Sequence, residues 1–147
     1  MNRETVTAAL FERLKTIEGI RTFGRKPRAW EDVAAAECPA LFLGVGSSNT
    51  VTPVGQYPLW QIEYLVYLYV HEGGSIGPSE QLNRYCDAIA DAVNRDPALD
   101  PAGMGTGVAT TLGGLVHSVE VPSIQTDEGS FGDRAVALVT LSVLAAG

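Results

Sequence analysis

The stretch Leu59-Trp60-Gln61-Ile62-Glu63-Tyr64-Leu65-Val66-Tyr67-Leu68-Tyr69-Val70-His71 decides how this chain folds. Read with a period of two, it puts Trp60, Ile62, Tyr64, Val66, Leu68 and Val70 on one face. A strand with one wholly apolar face lays that face on the core. The other face carries Gln61 and Glu63, then Leu65, Tyr67 and Tyr69. A domain on its own would leave that half exposed or cover it with a helix. Tyrosine is also favoured where a partner buries a surface, so this second face is a candidate contact patch.

On the N-terminal side of this strand, Val6, Leu10, Leu14 and Ile17 recur every three or four residues. That spacing predicts an amphipathic helix, with Glu4 and Lys15 matched to its dipole and Gly19 as its stop. Residues 20–30 read as extended but irregular, interrupted by Gly24 and Pro27. The apolar run Ala40–Val45 follows a proline and predicts a buried strand. Gly46 to Pro58 is rich in Gly, Ser, Asn, Thr and Pro, which predicts a long loop or a splayed hairpin.

Beyond the strand, Gly73 to Pro78 breaks it and Ser79 is expected to cap a second helix to about Arg95. Leu82, Tyr85, Cys86, Ile89 and Val93 form its stripe, which should pack on the sheet. Asp96 to Gly114 reads as another loop. Leu115–Val121 reads as a strand with Leu115, His117, Val119 and Val121 on one side, bent by Pro122. Asp127-Glu128-Gly129-Ser130 reads as a turn. Ala135–Leu144 is apolar on both faces apart from Thr140 and Ser142, so it belongs in mid-sheet or in an intersubunit contact. The expected fold class is α+β: a mostly antiparallel β-sheet with two helices packed on one face, in one domain over residues 1–147.

Composition agrees with a packed domain. Hydrophobic residues make up 46% and charged residues 18% of the 147, a balance that excludes wholesale disorder. The apolar runs are strand-sized, shorter than the roughly 20 residues that span a bilayer. No signal peptide is expected from Met-Asn-Arg-Glu-Thr, and the chain is expected to be soluble and cytosolic when made. A net charge of −7 disfavours sequence-specific DNA binding. One local exception exists: Arg21, Arg25, Lys26 and Arg28 place four of the ten basic residues within eight positions. They read either as a solvated strand end or as a positive surface for an acidic partner subunit.

Chemistry is hard to find. Gly44-Val45-Gly46 and Gly103-Met104-Gly105-Thr106-Gly107 lack the Lys-Ser/Thr of a phosphate loop. His71 beside Glu72 suggests a proton-shuttling pair but reads more simply as a strand end, and His117 as a hydrogen-bonded, partly buried residue. Cys38 and Cys86 belong to no CxxC pair or ligand cluster, and Cys86 falls on the helix stripe. Asp127 and Glu128 read as turn chemistry, and no serine stands in a G-x-S-x-G elbow. We therefore expect no catalytic residues, no cofactor site and no metal site, and a protein that is not an enzyme.

A whole-chain pattern remains. A helix ends at Leu14-Lys15-Thr16-Ile17-Glu18-Gly19-Ile20, and Cys38-Pro39-Ala40-Leu41-Phe42-Leu43 enters a strand. A long loop then leads to the aromatic strand Trp60–Tyr67 and a helix around Leu82-Asn83-Arg84-Tyr85. The chain closes with strands around the acidic-glycine turn, Val116–Gly129 and Ala135–Leu144. This pattern resembles the tail-terminator or minor tail proteins of long-tailed bacteriophages. Neck and head-completion connectors share much of the layout and are the alternative. A small-molecule-binding or enzymatic α+β domain is the alternative of another class.

The resemblance implies a homo-oligomeric ring, a hexamer, that caps the tail tube and ends its polymerisation. It implies contacts with the tail tube protein, with a neck or head-completion protein and, in a contractile tail, with the sheath protein. DNA would pass through the lumen without sequence-specific binding, and no membrane is involved. The implied location is the head–tail junction of the virion, after assembly in the host cytoplasm.

Overall fold

Leu59–His71 forms one strand, β3, over the span that its alternation predicts. The computed structural model describes residues 2–52, 55, 57–71, 77–94, 111, 112, 114–131 and 134–146. Around β3 stand helix α1 (Arg3–Leu14), strands β1 (Thr22–Gly24) and β2 (Ala40–Val51), helix α2 (Pro78–Asn94), and strands β4 (Ser118–Phe131) and β5 (Arg134–Ala146). The five strands form one sheet in the order β1-β2-β3-β5-β4. β1 runs parallel to β2, and every other pair is antiparallel. The fold is α+β, mostly antiparallel, with both helices on one face.

Both helices form for reasons visible locally. Asn2 caps α1 by accepting a 3.0 Å bond from the Thr5 amide. The helix ends at Leu14, sooner than a stop at Gly19 implies. Its stripe continues through a tightened turn, with Thr16 and Ile17 amides bonded to the carbonyls of Arg13 and Leu14, so Ile17 still reaches the core. Gly19 has a φ of +90° and lies so close to Tyr85 that an added Cβ would sit 3.0 Å from its hydroxyl. α2 begins at Pro78, one residue before the expected cap at Ser79, because proline suits the first helical position. Leu82, Cys86, Ile89 and Val93 are buried and Tyr85 half-buried, as their spacing predicts.

The sheet sharpens one sequence expectation and corrects two. Of the two readings of Gly46–Pro58 the hairpin holds for Gly46–Val51, since β2 continues to Val51 against β3. Pairing with a strand already fixed on its other side overrides the weak strand preference of Gly-Ser-Ser-Asn-Thr. Two residues, Gly46 and Ser47, stand opposite the single Glu63 in a bulge. Secondly, Leu115, Val116 and His117 precede β4, which starts at Ser118. Val116 and Val119 are buried, whereas Leu115 and His117 are exposed. Thirdly, Asp127–Ser130 is not the turn, because β4 runs to Phe131. Its irregular pairing at Val121-Pro122, and again after Asp127, is what an edge strand tolerates. The predicted Asp96–Gly114 loop lies outside the described residues apart from 111, 112 and 114.

β5 is the mid-sheet strand that its two apolar faces predict, with Ala135, Ala137, Val139, Leu141, Val143 and Ala145 buried against the helices. They join Leu41, Leu43 and the core face of β3 in the main core. Tyr64 is fully buried there, 2.9 Å from the Thr7 hydroxyl. Thr7 already donates to the Arg3 carbonyl at 2.8 Å, so the Tyr64 hydroxyl is the donor to Thr7. Tyr64→Phe is expected to cost about 1 kcal/mol in a denaturant titration, the ordinary value of one internal hydrogen bond. No loss would mean that the hydroxyl is as well served by water.

Candidate functional site

The face of the sheet turned away from the helices is built in rows by the strand register. One row is Phe42, Tyr67, Leu138 and Gln125, and the next is Ala40, Tyr69, Val136 and Asp127. Gly44, Leu65, Thr140 and Ser123 form a third row. Beyond them Glu63, Ser142 and Glu120 turn the face polar, and Gln61 donates to the Ser142 hydroxyl at 3.0 Å.

Half of this face is covered by the chain itself. The strap from Arg25 to Cys38, with 3-10 turns at Trp30–Asp32 and Ala35–Glu37, lies across β2. Val33, Cys38, Ala40, Phe42 and Tyr69 form a second, smaller core beneath it. Three contacts fix the strap. The Tyr69 hydroxyl donates to the Arg28 carbonyl at 2.6 Å, and Arg134 Nε donates to the Val33 carbonyl at 2.7 Å. Pro27 packs where a Cβ on Gly44 would stand, 2.9 Å away. Tyr69 is therefore core, at 4% exposure, and only Leu65 and Tyr67 of the aromatic half-face remain half-exposed.

Between strap and β4 runs a groove of about 410 Å³. Trp30, Tyr67 and Tyr69 line one side, Val136 and Leu138 the floor, and Gln125, Thr126 and Asp127 the other side. Its residues come from four separate parts of the sequence. Only the apolar second face of β5 hinted at Val136 and Leu138, and nothing in the sequence pointed to Trp30 or Gln125. Asp127 is the one carboxylate among these residues, with no histidine, lysine, cysteine or serine beside it. Chemically the groove offers stacking area with a polar rim, the make-up of a contact surface.

Three of the four residues of the basic cluster are tied to other groups of the chain, although Arg21, Arg25 and Lys26 are exposed. Arg25 holds Glu4 through two bonds of 2.5 and 3.0 Å. Arg28 holds Glu37 at 2.6 and 3.2 Å, donates also to the Asp32 carbonyl, and stacks over Phe42 at 5.6 Å. Arg21 donates to the Ala36 carbonyl at 3.4 Å. Lys26 makes no ion pair or hydrogen bond among the described residues.

Hydrogen bonds from Arg25 and Arg28 hold the Glu4 and Glu37 carboxyls below their ordinary value of 4.5. A carboxyl with a depressed pKa stabilises the fold above its unfolded pKa, and that contribution is lost as pH falls through the folded value. Thermal midpoints should therefore fall below about pH 4.5. The fall should be shallower in a Glu4→Gln/Glu37→Gln variant, and an unchanged slope would assign the acid sensitivity elsewhere. Glu4 is exposed and Glu37 half-exposed, so the effect is small.

His71 ends β3, where its carbonyl accepts from Gln81 at 3.5 Å, and its suggested partner Glu72 lies outside the described residues. The exposed side chain of His117 corrects its expected partial burial; the His117 amide donates to the Leu144 carbonyl at 2.7 Å. Cys38 and Cys86 are both buried, in different cores, and form no disulfide among the described residues. Gly44-Val45-Gly46 lies within β2, and the second glycine run lies outside the described residues. Among the described residues no group of three His, Cys, Asp or Glu side chains is placed to hold a metal ion. No helix among them is long and apolar enough to cross a membrane.

No family model matches the chain, and no curated protein matches it. Solved structures do. A chain from the virion of a native gene transfer agent particle superposes with a TM-score of 0.56 at 8% identity, covering 97% of this chain and 95% of that one. A second solved chain superposes with a TM-score of 0.54 at 16% identity, over 98% of this chain and 95% of its own. At these identities what is shared is the fold, over nearly the whole chain.

Proposed function

We propose that this chain is a non-enzymatic structural subunit of a phage-like virion, and within it the tail terminator. The observation that carries this reading is the likeness to a gene transfer agent virion chain over 97% of the length, at a TM-score of 0.56. The groove supports it, being suited to contact rather than catalysis. In this role copies of the chain close into a sixfold ring on the finished tail tube. The ring stops tube growth and presents a joining surface to the neck or head-completion protein, with the sheath protein as a further neighbour in a contractile tail. A ring built from one kind of subunit needs two different patches on each copy. The net charge of −7 would let DNA pass the lumen without sticking.

The test is to disrupt the gene in particle-producing cells and measure tubes by electron microscopy. Tubes longer than normal and heads without tails are expected, both reversed by the intact gene supplied in trans. Tubes of normal length on joined heads would rule the role out.

A further inference from the structure

The apolar side chains that this fold leaves in water are not scattered. Among the described residues the large exposed ones are Val45 (57%), Val51 (39%), Tyr57 (90%), Leu115 (40%) and Ile124 (44%). Val45 and Val51 are on β2, Tyr57 lies in the link between β2 and β3, Leu115 lies three residues before β4, and Ile124 is on β4. None lies on a helix. All five thus gather at the two outer sides of the sheet or at the ends of its outer strands.

Those two sides are unlike. β1 pairs only with Ala40, Leu41 and Phe42, so from Leu43 to Val51 the outer edge of β2 has no strand partner among the described residues. An open edge invites pairing with another chain, and folds usually guard it with charge, proline or bulges. The β4 edge is guarded against another edge of its own kind by Glu120, Asp127 and Glu128, beside Pro122 and two breaks in its register with β5. The β2 edge from Leu43 to Val51 holds neither charge nor proline, and its one irregularity is the Gly46-Ser47 bulge. Beside its start runs the basic stretch that leaves β1, with Pro27 against Gly44 and Lys26 without a partner among the described residues.

We propose that the open β2 edge pairs with the β4 edge of a second copy of this chain. The inference rests on the subunit reading above and names the contact that would join its copies. Charge favours this pairing over β4 against β4, which would oppose carboxylates, whereas β4 against β2 brings them toward Lys26 beside the start of that strand. Strand direction agrees. From β2 through β3 and β5 to β4 each step is antiparallel, so β4 runs opposite to β2. A rotation that preserves strand direction then sets the neighbour's β4 antiparallel to β2, continuing the pattern of the sheet. Repeated around an axis, this head-to-tail contact closes into a ring and covers the open edge of β2 in every copy.

Cysteine cross-linking tests it. Asn49 and Ser123 are exposed, lie on the same face of the sheet, and belong to β2 and β4. Asn49→Cys and Ser123→Cys are made singly and together, checked for folding by circular dichroism, and treated with a bismaleimide. The unaltered chain, whose Cys38 and Cys86 are buried, is the control. The double variant should give a ladder of dimers, trimers and larger species on a denaturing gel. Each single variant should match the control, and a mixture of the two should stop at dimers.

Dimers from Asn49→Cys alone would show β2 pairing with itself and overturn the proposal. A particle of ring mass without a ladder would overturn this contact and leave the subunit reading standing. A chain that stays monomeric without a ladder, even with tail tube protein present, would overturn both.

Discussion

Leu68→Ala is expected to lower the free energy of unfolding by about 3 kcal/mol, within the range of roughly 2–5 seen for buried leucines. Leu68 has no exposed surface and sits in the middle strand of the sheet, between Leu41 of β2 and Ala137 of β5. Neighbours bonded on both sides cannot collapse into the space left, so both the transfer loss and the cavity are felt. Leu65→Ala, three residues earlier but half-exposed on the opposite face, should cost about 1 kcal/mol or less. Guanidinium titrations of the two variants give the comparison. Equal losses would mean that the open face is as tightly packed as the core.

The second large effect is on assembly. Tyr67→Glu should leave the unfolding free energy within about 1 kcal/mol of the parent, as expected for a half-exposed position. With the groove as the surface for a second virion protein in the subunit role proposed above, it should weaken that binding by about thirtyfold, equivalent to about 2 kcal/mol, as is typical when an aromatic anchor is removed from an interface centre. Tyr67 stands in the groove between Trp30 and the β4 side, and the new carboxylate would face Asp127 across it. Sedimentation over a concentration series of that protein reads the effect. A variant that assembles like the parent would remove this face from the interface; one that unfolds would make Tyr67 part of the second core.

What the sequence disclosed was set by how far apart the deciding partners lie. β3, α2 and β5 were legible because their own periodicity names their faces: Ile62 to Val70, Leu82 to Val93, Ala135 to Ala145. The outer half of β2 was legible only as one of two readings, loop or splayed hairpin, because Gly46 to Val51 has a loop's composition and is a strand only through its partner β3. β4 was obscured in the same way, since Pro122 and Asp127 signal turns but sit on an edge where bulges absorb them. The contact face was half legible. Tyr67 and Leu65 stood out, yet nothing near Tyr69 announced that a strap around Val33 would cover it. The basic run was legible as a solvated stretch but its pairing was not, because Arg25 and Arg28 are engaged by Glu4 and Glu37, residues 21 and 9 positions away.

Two layers of packing share one sheet, and each contains a single thiol. Cys38 lies under the strap, pinned by Tyr69 and Arg134, while Cys86 lies under α2, where burial raises its pKa. Release of the strap alone would bare Cys38 and leave Cys86 shielded, whereas baring Cys86 needs the helix to lift from the sheet. The protein thus carries a native pair of reporters, one for each side of its sheet, that can distinguish a local loosening during assembly from the loss of the whole fold.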